Sequence, residues 1–249
     1  MARIVLVHGA FSGAWVWEPV LPGLREAGHT VETFDLPGQG SDQTPIEQVD
    51  LDAYARRTCE VLAAGEPAVL VGHSMGGMVI TQAAARTPEQ VVQLVYLAAF
   101  LPGDGQSLLE LTHYPEAAGD QVQANLVIEG DPPVATLPPE AIKVALGGCC
   151  TDTQLAWLIE HTVSQPVAPF TQPFRLDPDR AEAFAALPRA YITCLRDRAI
   201  PPQMQRRMFT DAGCDPVVEI DTDHSVWLSR TDDVVTAVDR LARTGVASG

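Results

Sequence analysis

Apolar residues in this chain come in short unbroken runs, and that pattern narrows the fold more than any other feature. Residues 3–7, 30–34, 68–71, 91–98, 189–195 and 216–220 each read as a strand. Several lack the in-and-out alternation of a sheet with one wet face, as strands buried on both faces do. Such strands need helices above and below them. The intervening stretches 15–27, 51–64, 74–86, 202–212 and 231–243 carry helical patterns, the last with the acidic first turn Thr231-Asp232-Asp233. Strand and helix in alternation predict an α/β fold, a mostly parallel sheet with helices on both faces.

The alternation breaks between about residues 101 and 187. Pro and Gly crowd this stretch (Leu101-Pro102-Gly103, Pro132-Pro133, Pro138-Pro139), and inside it 151–162 has a helical pattern while no convincing strand appears. A block of that size is too long for a simple loop. It reads as a helical cap inserted into one core domain, the core being 1–100 with 188–249 and the cap 101–187.

With 249 residues, 46% hydrophobic and 19% charged, the chain has the size and composition of a single soluble globular domain. Its 32 acidic against 16 basic residues leave a net charge of -16. A surface so acidic repels phosphate backbones and anionic lipid, which argues against nucleic-acid and membrane partners. The apolar run Ile4-Val5-Leu6-Val7 is too short for a signal-peptide core or a membrane span, so a cytoplasmic location is expected. Five cysteines, with no C-x-x-C and no Cys/His ligand spacing, indicate neither a disulfide framework nor a metal site. The adjacent pair Cys149-Cys150 reads as small apolar filler.

Chemistry enters at Gly72-His73-Ser74-Met75-Gly76-Gly77, which follows the strand 68–71 directly and leads into a helix. A G-x-S-x-G in that strand–turn–helix setting lifts the serine above the sheet edge at a helix start. Side chains at 72 and 76 would collide across so sharp a turn, and Gly77 lets the helix pack closely on the sheet. A serine hydroxyl is a weak nucleophile and needs a base. Of the six histidines, His224 is the one in a late loop, Asp221-Thr222-Asp223-His224-Ser225, beyond the C-terminal end of a strand, where such sheets bind ligands. His8 and His73 sit inside turn motifs and read as structural.

The base in turn needs a carboxylate to fix its tautomer. Asp197, just past the strand 189–195, completes the order Ser, Asp, His. The alternatives are that Asp197 pairs with Arg196 or Arg198, and that Asp104 is the acid. Asp221 and Asp223 lie too close to His224 along the chain to face its ring easily. For an oxyanion, the backbone N–H of Met75 is one expected donor. The N–H of Ala10, in the glycine-bearing loop His8-Gly9-Ala10-Phe11-Ser12-Gly13-Ala14-Trp15, is the other.

These motifs, with Val5-Leu-Val-His-Gly-Ala-Phe-Ser-Gly-Ala-Trp-Val-Trp17, Tyr96-Leu-Ala-Ala-Phe-Leu-Pro102, Cys150-Thr-Asp-Thr-Gln-Leu-Ala156 and Asp197-Arg-Ala-Ile-Pro201, resemble the plant methylesterase and hydroxynitrile lyase branch of the α/β-hydrolases and its bacterial esterase relatives. The likeness spans nearly the whole chain. It implies a six-stranded α/β-hydrolase sheet, a pocket roofed by the cap, and no metal or organic cofactor. The lyases of that branch carry a threonine where Gly9 stands and a lysine where Ser225 stands, so the resemblance favours ester hydrolysis. The plant methylesterases tend to have methionine at the Ser225 position, so their substrates do not carry over.

The expected partner is a small, uncharged ester or lactone with a hydrophobic part, held by Phe11, Met75, Phe100, Leu101, Trp157 and Leu158. A homodimer stays open. So do a lyase or cofactor-free enzyme on the same fold and a non-catalytic ligand-binding receptor.

Overall fold

A computed structural model describes residues 1–247. Its strands in chain order are β1 (Arg3–Val7), β2 (Thr30–Thr33), β3 (Ala68–His73), β4 (Val91–Leu97), β5 (Val127–Glu129), β6 (Val134–Thr136), β7 (Gln165–Pro166), β8 (Arg189–Cys194) and β9 (Val217–Ile220). Six of them form one parallel sheet in the order β2-β1-β3-β4-β8-β9. β3 sits inside it, and every residue of Ala68–His73 is buried. The missing alternation in its sequence therefore has a direct cause: both faces of β3 are dry. Burying each such Val or Leu contributes roughly 1.5–3 kcal/mol.

The chain starts at β1, runs outward to β2, then crosses back to β3 on the other side of β1. That reversal parts the loops leaving the C-terminal ends of β1 and β3, and ligand crevices of open α/β sheets form at such a switch point. The loop after β1 and the turn after β3 are the two glycine-rich motifs of the sequence.

Two expectations need correction. The helix expected over 15–27 is broken into a 3-10 turn, Ala14–Trp17, and a helix, Leu21–Glu26. Pro22 lacks the N–H that a continuous helix would bond, so the helix has to restart there. The stretch 101–187 is not free of strands. β5, β6 and β7 make a small antiparallel sheet, standing among short helices such as Leu108–Thr112, Gln121–Asn125, Pro139–Ala145 and Asp152–His161. Strands of two or three residues are too short for a hydrophobic period to repeat, and the sequence cannot signal them. Among the described residues, no helix is long and apolar enough to cross a membrane.

Candidate active site

The turn after β3 is built by exclusion. A Cβ on Gly72 would stand 2.6 Å from the Gly76 carbonyl oxygen, and one on Gly77 would stand 2.0 Å from that of Phe100. A Cβ on Gly76 would strike the Val7 and His8 carbonyls rather than meet its own turn. Between these glycines Ser74 has φ +56°, a left-handed conformation that costs a non-glycine residue energy. Its backbone is pinned from both sides. The N–H donates to Leu97 at 3.3 Å, and the carbonyl accepts from Gly77 and Phe100 at 3.0 Å each. The helix Gly76–Arg86 begins immediately beyond.

Ser74 opens into a narrow cavity of about 60 Å³ that His224 also lines. The His224 ring is buried, and its Nδ1 donates to Asp197 Oδ2 at 2.8 Å. Asp197 is saturated with donors. Its Oδ1 accepts from the N–H groups of Ala199 (2.8 Å) and Ile200 (2.9 Å), and its Oδ2 also accepts from Gln205 Nε2 (2.9 Å). Burial alone would lower the His224 pKa. The Asp197 charge and hydrogen bond outweigh it, with Asp223 and Asp120 adding to them, and the net shift is upward.

The competing assignments go elsewhere. Arg196 pairs with Asp221 at 2.9 Å, in the open. Asp104 Oδ1 accepts from the Leu176 N–H, and Asp104 borders a different hollow of about 440 Å³. Asp223 Oδ2 accepts from the Cys149 N–H at 2.5 Å and its Oδ1 from Ser229 at 3.2 Å. Burial first, then the Asp223 charge, pushes the neighbouring Cys150 thiol up to about 12, so it carries no thiolate reactivity at neutral pH.

His8 and His73 have other work. His8 Nε2 accepts from the Leu36 N–H and Nδ1 donates to the Gly9 carbonyl, which fixes one neutral tautomer, and burial lowers its pKa to about 4. His73 Nε2 donates to the His224 carbonyl at 3.0 Å, so the residue beside the serine holds the backbone of the histidine loop. Burial, and then the His224 charge, keep the His73 pKa well below its usual value.

Ala10, Phe11, Met75, Phe100 and Leu158 line the cavity. The N–H groups of Ala10 and Met75 have no protein acceptor among the described residues. Gly9 is confined by the serine: a Cβ there would lie 2.7 Å from Ser74 Cβ and 3.0 Å from the His73 carbonyl oxygen.

Two expected lining residues lie outside. Leu101 borders the hollow beside Asp104, its N–H directed at the Met208 sulfur. Trp157 packs edge-on against Trp15 and Trp227, which are the residues that line the cavity. An apolar residue next to a site advertises burial, not the side it is buried on.

Three participants carried no sequence signal as site residues. Gln205, buried in the helix Pro202–Asp211, donates to Asp197 Oδ2 and to the Ile200 carbonyl while its Oε1 accepts from Thr193 and the Cys194 N–H. Asp120 and Gln123, from the 101–187 stretch, line the cavity.

The alpha/beta hydrolase family model matches residues 4–237. The chain is 30% identical over 243 residues to salicylic acid-binding protein 2 of Nicotiana tabacum, covering 91% of each. It is 31% identical over 253 residues to an alpha-hydroxynitrile lyase of Arabidopsis thaliana, covering 96% of each. The solved structure of polyneuridine aldehyde esterase superimposes with a TM-score of 0.85 at 27% identity, covering 97% of this chain and 99% of that one.

Proposed function

Because this chain belongs to the alpha/beta hydrolase family, we propose that it is a serine esterase that cleaves a small hydrophobic carboxylic ester or lactone through an acyl-enzyme. One observation carries the reading. A strained serine opens into the same cavity as a buried histidine, and that histidine's far nitrogen donates to a fully bonded aspartate.

Ser74 Oγ attacks the ester carbonyl while His224 Nε2 takes its proton. Asp197 holds His224 with Nδ1 protonated and stabilises the imidazolium that forms. The negative charge on the carbonyl oxygen is met by the Ala10 and Met75 N–H groups, whose lack of a protein acceptor leaves them available. The C–O bond to the alcohol breaks and His224 returns the proton to the leaving oxygen. Water, deprotonated by the same histidine, then cleaves the Ser74 ester and restores the site. Residues 101–187 act as the cap over this chemistry, contributing Leu108, Asp120, Leu158 and Phe170 to the cavity lining.

Cyanohydrin cleavage fits less well. The threonine that the lyases carry in place of Gly9 would put its Cβ against Ser74 here, and Ser225 brings no cation to hold cyanide.

Hydrolysis of short p-nitrophenyl esters, with fluorophosphonate labelling of Ser74, tests the proposal. Turnover and labelling that both vanish in Ser74→Ala support it. An inert protein that does not label is a binding module instead.

A further inference from the structure

Asp120 is the one carboxylate among the described residues lining the cavity. It is 9% exposed and stands at the start of the five-residue helix Gln121–Asn125. Its capping bonds, from Val122 N–H at 2.8 Å and Gln123 N–H at 2.9 Å, both go to Oδ1. Among the described residues no protein donor reaches Oδ2, and that oxygen is not one of the fully buried polar atoms. The segment is also fixed in place. The next residue, Gln121, donates its N–H to the Arg198 carbonyl at 2.7 Å, which ties Asp120 to the loop that carries Asp197.

Capping does not account for the charge. Asn or Ser would cap so short a helix as well without burying an ionisable group. Among the described residues no lysine or arginine lines the cavity, where the other lining groups are apolar side chains, hydroxyls, one amide and the two histidines. Burial accordingly raises the Asp120 pKa to about 6, against the opposing pull of the two capping N–H groups. A carboxylate oxygen that no protein donor reaches, on a side chain this nearly buried, is poorly solvated, and a ligand that brings a donor gains by pairing with it.

We infer that Asp120 Oδ2 receives a hydrogen-bond donor of the substrate, so that the preferred esters carry a hydroxyl or ammonium group and esters bearing a free carboxylate are excluded. Asp120 is then a specificity residue on the wall that the 101–187 stretch provides. The inference rests on the esterase reading above.

The test compares methyl 3-phenylpropanoate with its 2-hydroxy, 4-hydroxyphenyl, 2-ammonio and 4-carboxyphenyl analogues, on the wild-type protein and on Asp120→Asn, which preserves the cap. In the wild type a donor-bearing ester should exceed the parent in kcat/KM by roughly 10-fold or more, with the carboxylate ester lowest. Asp120→Asn should cut the ammonium preference roughly 10-fold and the hydroxyl preference less, because the NH₂ that replaces Oδ2 can donate to a hydroxyl oxygen but meets an ammonium donor to donor. The carboxylate ester should improve. Absence of any donor preference, or an equal loss on all five esters with their ratios unchanged, overturns the inference.

A second measurement decides the matter if no ester is cleaved and Ser74 does not label. The Tm shifts given by 2-phenylethylamine, 2-phenylethanol and phenylacetate then report binding alone. Stabilisation by the amine or the alcohol that is weakened in Asp120→Asn keeps the assignment while the esterase reading falls. No shift, or the same shift in the variant, removes it.

Discussion

The two sides of the cavity use their carboxylates on opposite terms, Asp197 behind the His224 ring and Asp120 in the lining itself. On the sheet side, Asp197 accepts four hydrogen bonds, from Ala199, Ile200, Gln205 and His224. Behind it Gln205 is bonded through both ends of its amide. On the inserted side, Asp120 accepts two bonds at one oxygen and has no protein donor at the other among the described residues. Saturation at Asp197 fixes the direction of the histidine to within the tolerance that proton transfer needs. Incompleteness at Asp120 leaves free energy for a ligand to gain. One wall holds geometry and the other holds selectivity, and each can be attacked separately.

The sharpest break is Ser74→Ala. It should lower kcat by roughly 10⁴–10⁶-fold with the Tm unchanged or raised, since alanine removes the nucleophile and no packing. Residual turnover within tenfold of wild type would move the chemistry away from this serine. Next in size is Asp197→Asn, which offers Nδ1 the wrong partner and should cost roughly 10³–10⁴-fold in kcat, whereas Asp104→Asn, beside the other hollow, should change it less than about twofold.

The pH profile sharpens the same contrast. His224 must be neutral to accept the serine proton, and its pKa is raised above 6.5. The kcat/KM should therefore fall as pH drops through that raised value. Loss of the Asp197 charge should slide the acid limb toward lower pH, and Asp120→Asn should do so by less, because Asp120 also favours the imidazolium.

A third attack falls between the walls. Gly9→Ala would bring a methyl to 2.7 Å from Ser74 Cβ and 3.0 Å from the His73 carbonyl, neither of them a flexible chain end. The loop has to retreat and take the Ala10 N–H with it. We expect roughly a 100-fold loss in kcat/KM together with a destabilisation of about 1–3 kcal/mol in urea. Full activity in this variant would mean that the loop after β1 does not meet the oxyanion.

How much of this the sequence could announce follows from the same division. The sheet side was legible because burial on both faces of β3 leaves unbroken apolar runs, and because the turn after it admits only glycine at 72, 76 and 77. The inserted side was legible only where helices are long enough to carry a period, as Asp152–His161 is, with its Thr151 and Gln154 capping box. Gln205 shows the limit on the sheet side. Nothing in Pro201-Pro-Gln-Met-Gln205 distinguishes it from Gln203, which sits on the exposed face of the same helix. It matters only because packing under β8 presses its amide onto Asp197. Asp120 shows the limit on the other side: in Gly119-Asp120-Gln121 it reads as an ordinary cap, and its place in the cavity depends on long-range ties such as that from Gln121 to Arg198.

The smallest expected effect is one of stability, and it separates the two carboxylates without any substrate. The folded pKa of Asp120, about 6, lies above the 3.8 of an ordinary aspartate. The folded state therefore binds this proton more tightly than the unfolded chain does. The stability gained from protonation is complete below about pH 4 and is lost as pH rises through about 6. Asp120→Asn keeps the capping oxygen and never ionises, so it should match wild type near pH 4 and be more stable at pH 8 by on the order of 1–3 kcal/mol, a few degrees in Tm. Asp197→Asn should do the reverse at pH 8. Its NH₂ group faces either the two donors that meet at Oδ2 or the two backbone N–H groups that meet at Oδ1, and so leaves buried donors unmatched. Equal Tm values for Asp120→Asn and wild type at both pH values would mean that Oδ2 is already satisfied in the free protein. The selectivity assigned to that wall would then have no energetic source.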